Sequence, residues 1–344
     1  MSWFEQLARL YEKLGEGLPP FHALRKTCAV AEITRDGTLI SIKPADFSAA
    51  IPVTERSDGR TSAVLPHPLF DTPDYLSPAD RNKNDEYIAQ LEQWALSVYG
   101  DERLVSVLRC VKRGLFPKDF PKRGVVVFSV EGEPLWDNEE IQSRWAAYCR
   151  STAKRVGVCG GTGIIQPLYS HHPKGILPKH PSAKLISANA DGRLLFSERF
   201  STVEEALSVG AQSSYAAHRA LSLLISEVGV YVADTVFAGF TDSGELIRLN
   251  ELFFSSRRDI YSHISGETAV LLAVSAHSKG RANFSMYREV SCGELREALY
   301  LSREPLLAKV LSGAVKTCEA PRYCTRQLDR LLIRGQEQLY RRSG

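Results

Sequence analysis

Apolar side chains return every three or four residues from Trp3 to Leu14, through Phe4, Leu7, Leu10 and Tyr11. That is the period of a helix with one buried face, and the stretch from Gly15 to Pro20 ends it. Between Thr27 and Ile42 the pattern becomes that of strands: one through Val30 and Ile33, an Asp36-Gly37 turn, and a return over Leu39 to Ile42. Asp-Gly between two apolar runs predicts a hairpin. Residues 44–85 are rich in Pro, Asp, Ser and Asn, carry no long periodic run, and read as a long loop region. Helical spacing resumes from Asp85 to Tyr99, with Tyr87, Ile88, Leu91, Trp94, Ala95 and Val98 on one face. A second helix over Arg103 to Arg113 turns Leu104, Val107, Leu108 and Val111 inward. Val125 to Val130 is a continuous apolar strand, and Asn138 to Arg150 predicts a helix that buries Ile141, Trp145 and Tyr148.

The later half repeats this mixture. Thr202 to Ser226 predicts one long helix or a pair, and Tyr231 to Phe240 a buried strand ending in the turn Thr241 to Gly244, with Leu246 to Leu249 returning. Thr268 to Ser275 and Arg281 to Val290 predict two strands joined by His277-Ser278-Lys279-Gly280. The second alternates, with Ala282, Phe284 and Met286 on one side and Arg281, Asn283, Ser285 and Tyr287 on the other, as expected of a half-exposed antiparallel strand. Helices follow around Leu295 and Leu299 and from Arg326, where Leu328, Leu331, Leu332 and Leu339 form one stripe. The expected class is α+β, with mixed antiparallel sheets, flanking helices and a helical C-terminus. The expected segments are an α+β region over 1–150, a basic Pro/Gly-rich strap over 151–200, and a second α+β region over 201–344 that ends in helices.

The strap is the part of the chain with least periodicity and most chemistry. From Cys159 to Asn189 it opens with Gly160-Gly161-Thr162-Gly163, runs through His171, His172, His180, Lys174, Lys179 and Lys184, and contains no acidic residue. Pro167, Pro173, Pro178 and Pro181 forbid a helix, because each ring removes an N–H and biases the preceding residue toward extended backbone. The picture is a semi-rigid cationic arm with backbone amides exposed at its glycine end. Such an arm suits a phosphodiester backbone, and it also fits a solvated connection between domains.

Composition narrows the class of protein without declaring it. The net charge of +3 over 344 residues, with 24% charged, is ordinary for a soluble globular chain. Its distribution is less ordinary. Arg103 to Arg123 carries seven Lys/Arg against Asp119, and Arg322 to Arg342 carries six against Asp329 and Glu337. Clustered cations on a near-neutral whole fit either an anion-facing surface or solvated helix faces. No cationic segment followed by an apolar run marks the N-terminus as secretory, no apolar stretch is long enough to span a bilayer, and the seven scattered cysteines suit a reducing compartment. A cytosolic protein is expected.

The sequence lacks the motifs G-x-S-x-G, H-E-x-x-H and G-x-x-x-x-G-K-[ST], and its carboxylates show no diagnostic pairing, so no catalytic constellation supports an enzyme. The spacing of Cys149, Cys159, His171, His172 and His180 matches no standard zinc site, and no cofactor is expected. Arg81-Asn82-Lys83-Asn84 holds the side-chain types that read base edges and phosphates. The same four residues also serve as the entry to a helix, with Asn84 as the cap and Asp85 and Glu86 in the first turn.

The order of segments resembles the large subunit of the type I-C CRISPR interference complex. The similarity starts at Leu10-Tyr11-Glu12-Lys13-Leu14 before Leu18-Pro19-Pro20, and passes through the Asp-Gly hairpin and the approach from Asp80 to Tyr87. It is densest in Cys159, Thr162-Gly163, Pro167-Leu168 and His172-Pro173-Lys174, then Ala183 to Asn189, Gly210-Ala211-Gln212, Asp234 to Phe237, and the strands through Ala273-Val274-Ser275 and Arg281 to Tyr287. Members of that family are usually longer and carry an Asn-Ala-Pro element near the position of Gln212, so the expectation is a shortened variant whose small helical subunit is a separate polypeptide. The resemblance implies a non-catalytic subunit at the foot of a guide RNA complex that reads a protospacer-adjacent motif in target double-stranded DNA and helps to open it. It implies crRNA, backbone and handle-binding subunits and a helicase-nuclease as partners. On this reading Arg81, Asn82, Lys83 and Asn84 meet the motif. His172, Lys174, Lys179 and Lys184 hold nucleic-acid backbone, and Arg281 and Arg288 line the same face. Two other readings stay open: a ribonuclease using His171 or His172 as acid or base, and a scaffold that binds only proteins.

Overall fold

The computed structural model describes residues 2–14, 18–60, 63–114, 116–117, 123–187, 200, 206–254, 264–278, 280–302 and 305–343. Ala188 and Asn189 of the strap, Thr202 to Glu205 of the next expected helix, and Lys118, Asp119 and Lys122 of the first basic run lie outside these residues. The fold is α+β. Backbone proximity divides the chain into two units, each discontinuous in sequence. The first comprises Gly17–His172 and Ala188–Tyr215; the second comprises Met1–Glu16, Pro173–Ser187 and Ala216–Gly344. One dividing point therefore falls inside the strap, between His172 and Pro173. The opening helix α1 (Trp3–Leu14) belongs to the second unit.

The first unit is built on β1 (His22–Ile33). Its later half pairs antiparallel with β2 (Leu39–Pro44), and its earlier half with β3 (Ser48–Pro52). The Asp-Gly hairpin forms as expected. Gly37 takes a φ of +84°, and a Cβ there would lie 2.7 Å from Arg109 Cβ, so this turn accepts glycine alone. The region read as loop contains β3, the short helix α2 (Pro73–Leu76) and a buried ion pair between Arg60 and Asp71. Asp71 also accepts the amides of His67 at 2.7 Å and Thr72 at 2.6 Å. Order here comes from a polar network, which leaves no apolar period in the sequence.

Helices α3 (Arg81–Ala95) and α4 (Glu102–Lys112) follow, then β4 (Val125–Val130), which pairs parallel with β1 and is buried along its whole length. The two-residue β5 (Glu133–Pro134) leads to α5 (Glu139–Ser151), capped by Asn138. Trp94 of α3 and Trp145 of α5 meet at 4.8 Å in the core. A small sheet of β6 (Val156–Val158), β7 (Ile165–Tyr169) and β8 (Val209–Gly210) completes this unit. Helix α6 (Ala211–Val228) gives its first five residues to the first unit and the rest to the second.

The second unit contains β9 (Val230–Val232), β10 (Thr235–Thr241), β11 (Leu246–Ile247), α7 (Asn250–Phe254), β12 (Thr268–Ser278), β13 (Arg281–Ser291), α8 (Cys292–Leu301) and α9 (Ala320–Ser343). Its sheet runs β11-β10-β12-β13, with β9 also on β10. Ala269, Leu271 and Ala273 of β12 pack with α8 and α9, while Val270, Leu272 and Val274 are equally buried on the opposite face. The expected alternation of β13 breaks at a bulge: Met286 pairs with Ala273 and Phe284 with Val274, so Ser285 is the extra residue. Met286 therefore joins the core beneath α8 and α9, and Phe284 meets the ring of Trp3 at 4.7 Å. The last helix starts at Ala320, six residues before the expected Arg326.

Candidate nucleic-acid interface

The glycine end of the strap is a β-turn between β6 and β7, and its amides are occupied. Gly160 N–H donates to Ser208 O at 2.7 Å, and Gly163 N–H to Cys159 O at 2.8 Å. Burial alone would raise the Cys159 thiol. Hydrogen bonds from Thr162 and from the amides of Gly210, Gly161 and Thr162 outweigh it and hold the thiol below its usual value. The expected row of exposed donors is thus turned inward, on carbonyls and on sulfur.

Beyond the turn the strap is gripped before it reaches its lysines. Glu55 accepts the amides of Ser170 at 2.6 Å and His171 at 2.8 Å, and lies 3.2 Å from His171 Nδ1. His172 is buried with its Nδ1 2.8 Å from Ser214 Oγ, so it is a packing residue and not a backbone contact. From Pro173 onward the chain folds back on itself and does not extend as an arm. Ile176, Leu177 and Ala183 are buried, and Gly175 N–H donates to Ala183 O at 3.3 Å.

This return places cations side by side. Lys174 lies directly opposite Lys184 in an antiparallel bridge, and Lys184 opposite Arg281 in a parallel one. The bonds Lys184 N–H to Gly280 O (3.2 Å) and Ala282 N–H to Lys184 O (3.0 Å) seat the strap on the start of β13. Directly opposed residues share a face of a ladder, so Lys174, Lys184 and Arg281 form a three-cation row. Arg281 is exposed, the two lysines are half-buried, and a Cβ at neighbouring Gly280 would meet nothing within 4 Å. Among the described residues none of the three has an acidic partner. Lys179 is also exposed, with its ammonium 5.1 Å from the Tyr231 ring centre.

Arg288, by contrast, is committed internally. It forms a two-pronged ion pair with Asp329, at 2.9 and 3.1 Å, which ties β13 to α9.

The Arg81 to Asn84 segment lies in the first unit and is the first turn of α3, not a loop before it. Asp80 is the cap and accepts the Lys83 amide at 3.3 Å. Lys83 Nζ is 3.1 Å from Asp80 and 3.5 Å from Asp74, and the hydrogen bond to Asp80 is the main reason its pKa is raised. Asn84 is 6% exposed and donates from Nδ2 to Tyr75 O at 2.9 Å, so it holds α2 to α3 and cannot reach a base. Arg81 and Asn82 alone of the four are exposed side chains.

Three of the five described cations in the run from Arg103 to Arg123 are paired with acids. Arg103 pairs with Asp101, Glu133 and Glu140, Lys112 with Glu92, and Arg113 with Asp36. Among the described residues no group of three or more His, Cys, Asp and Glu side chains could hold a metal ion, and no helix is long and apolar enough to cross a membrane.

The class these features define is an α+β protein carrying a cationic row without an acidic partner among the described residues. The protein-family model described as CRISPR-associated protein (Cas_Csd1) matches residues 7–300, and the chain belongs to that family. No curated protein matches the chain.

Proposed function

We propose that this chain is a non-catalytic large subunit of an RNA-guided, type I-C surveillance complex, and that it recognises a protospacer-adjacent motif in duplex DNA and aids strand opening. Its partners on this reading are crRNA, the backbone and handle-binding subunits, a small subunit and a helicase-nuclease. Membership of the CRISPR-associated family sets the context. The observation that carries the binding role is the row Lys174, Lys184 and Arg281, three cations in register without acidic partners among the described residues. Phosphate contacts position such a protein, and base contacts specify its site. Lys179 extends the phosphate surface, while Arg81 and Asn82 remain as base-reading candidates on the rigid start of α3.

Purification of a tagged chain from its own cells tests this reading. One defined short RNA together with a repeated backbone protein is the expected company. A chain that recovers neither, or that cleaves labelled RNA by itself, rejects it.

A further inference from the structure

The C-terminal helix α9 lies beyond the residues that the family model matches. Arg322, Arg326, Arg330 and Arg334 stand four residues apart along it, Arg341 follows, and all five are exposed. At 100° per residue they fall within one third of the helix circumference, and the row is about 28 Å long at 1.5 Å per residue. Glu337 is the one acid on this arc. Among the described residues none of these arginines has an ion-pair partner, since Asp329 is taken by Arg288.

Surface helices ordinarily set opposite charges at this spacing, because like charges at i and i+4 repel. Here three consecutive i,i+4 pairs are Arg-Arg. The mount is stiff: Cys324, Leu328 and Leu332 pack into the core, and at Gly335 the helix approaches α8 so closely that a Cβ would lie 2.4 Å from Glu294 O. A fixed, straight line of guanidinium groups complements a fixed line of phosphates. Single-strand sites instead rely on exposed aromatic platforms; of the two aromatic residues on this arc Tyr323 packs against the core, which leaves Tyr340 alone exposed.

We infer that the exposed arginine row of α9 is a second nucleic-acid site, which takes the phosphodiester backbone of a duplex independently of the strap. The test uses the full chain and a fluorescent 20-base-pair duplex of arbitrary sequence, titrated across KCl concentrations. Replacing Arg322, Arg326, Arg330 and Arg334 with Gln should make the slope of log K against log salt shallower by about 3.6, at about 0.9 per phosphate contact. The four-Lys variant should keep most of the slope, and the milder pair Arg326→Gln with Arg334→Gln should lose about half as much as the four-Gln chain. That pair also decides the matter should the four-Gln chain fail to fold. An unchanged duplex slope overturns the inference. So does a loss confined to single-stranded oligonucleotides or to polyglutamate, which would make the row a site for those ligands instead. Lys174→Gln with Lys184→Gln, measured in parallel, reports on the strap alone, so either site can fail while the other stands.

Discussion

Neutralising the three-cation row should weaken DNA binding and strengthen the fold together. Lys174 faces Lys184, and Lys184 faces Arg281, giving two directly opposed like-charge pairs. Each such pair destabilises a ladder by about 0.2–1 kcal/mol, so replacing all three residues with Gln should relieve about 0.4–2 kcal/mol. At about 2.1 cal/mol/K per residue over 344 residues, that raises Tm by roughly 0.5–3 °C. The same change removes up to three phosphate contacts, which makes the salt slope shallower by about 2.7. Between 50 and 200 mM KCl the unaltered chain should therefore lose roughly 40-fold more affinity than the variant does. Anisotropy with duplex DNA over that salt range gives the slope, and differential scanning fluorimetry gives Tm. A slope that does not move refutes the interface, and a fall in Tm refutes the repulsion on which the reasoning rests.

Other consequences are local. Asn82→Ala should leave stability within about 0.5 kcal/mol of the parent and flatten motif preference in a competition assay. Asn84→Ala should instead cost about 1–3 kcal/mol in chemical denaturation, because Tyr75 O loses its buried donor. Arg60→Met should cost about 3–5 kcal/mol by urea denaturation, since it strands the fully buried Asp71 carboxylate; a cost under about 1 kcal/mol contradicts that assignment. Burial drives the His22 pKa from 6.5 to about 4. The native state thus keeps this ring neutral where the unfolded chain protonates it, and stability falls as pH drops from 6.5 toward 4. The full loss is about 3 kcal/mol, and His67, lowered chiefly by burial, adds in the same direction. Thermal melts that are flat between pH 8 and pH 5 would show that neither ring is held neutral.

Much of this architecture is written in apolar periodicity. The Asp36-Gly37 hairpin, the helices ending in Arg113 and Arg150 and the β12–β13 pair lie where their patterns put them, because each rests on contacts between residues close in sequence; β4 is legible from its unbroken apolar run, although its partner β1 is far away along the chain. What the pattern hides depends on partners far along the chain. No local signal brings α1 together with the C-terminal elements, since an amphipathic helix does not specify which face covers it. The 44–85 region is invisible for a different reason: Asp71 organises it through Arg60 and backbone amides, and polar networks have no period. The bulge at Ser285 needs its partner strand to be seen at all.

The candidate site divides along the same line. Residue type alone nominates Arg81, Asn82, Lys83 and Asn84 equally, but Asp80 and Tyr75 O claim the last two. It nominates Arg288 beside Arg281, and both are exposed, yet Asp329 pairs with Arg288 while Arg281 has no acidic partner among the described residues. The run Arg103 to Arg123 looks like the stronger basic cluster in one dimension, yet three of its five described cations are paired with acids in the fold. Exposed ion pairs contribute little to stability, so the use of acids in one place and not another is weak evidence about folding energy. It is better evidence about what each surface meets. The chain has 40 acidic residues for 43 Lys and Arg, enough to match nearly every cation. Leaving Lys174, Lys184 and Arg281 in register without one among the described residues retains a repulsion, half of which a single Glu in place of Lys174 would remove. A fold that keeps this repulsion gains nothing from it unless an external anion completes the row, and a phosphate backbone is a line of such charge.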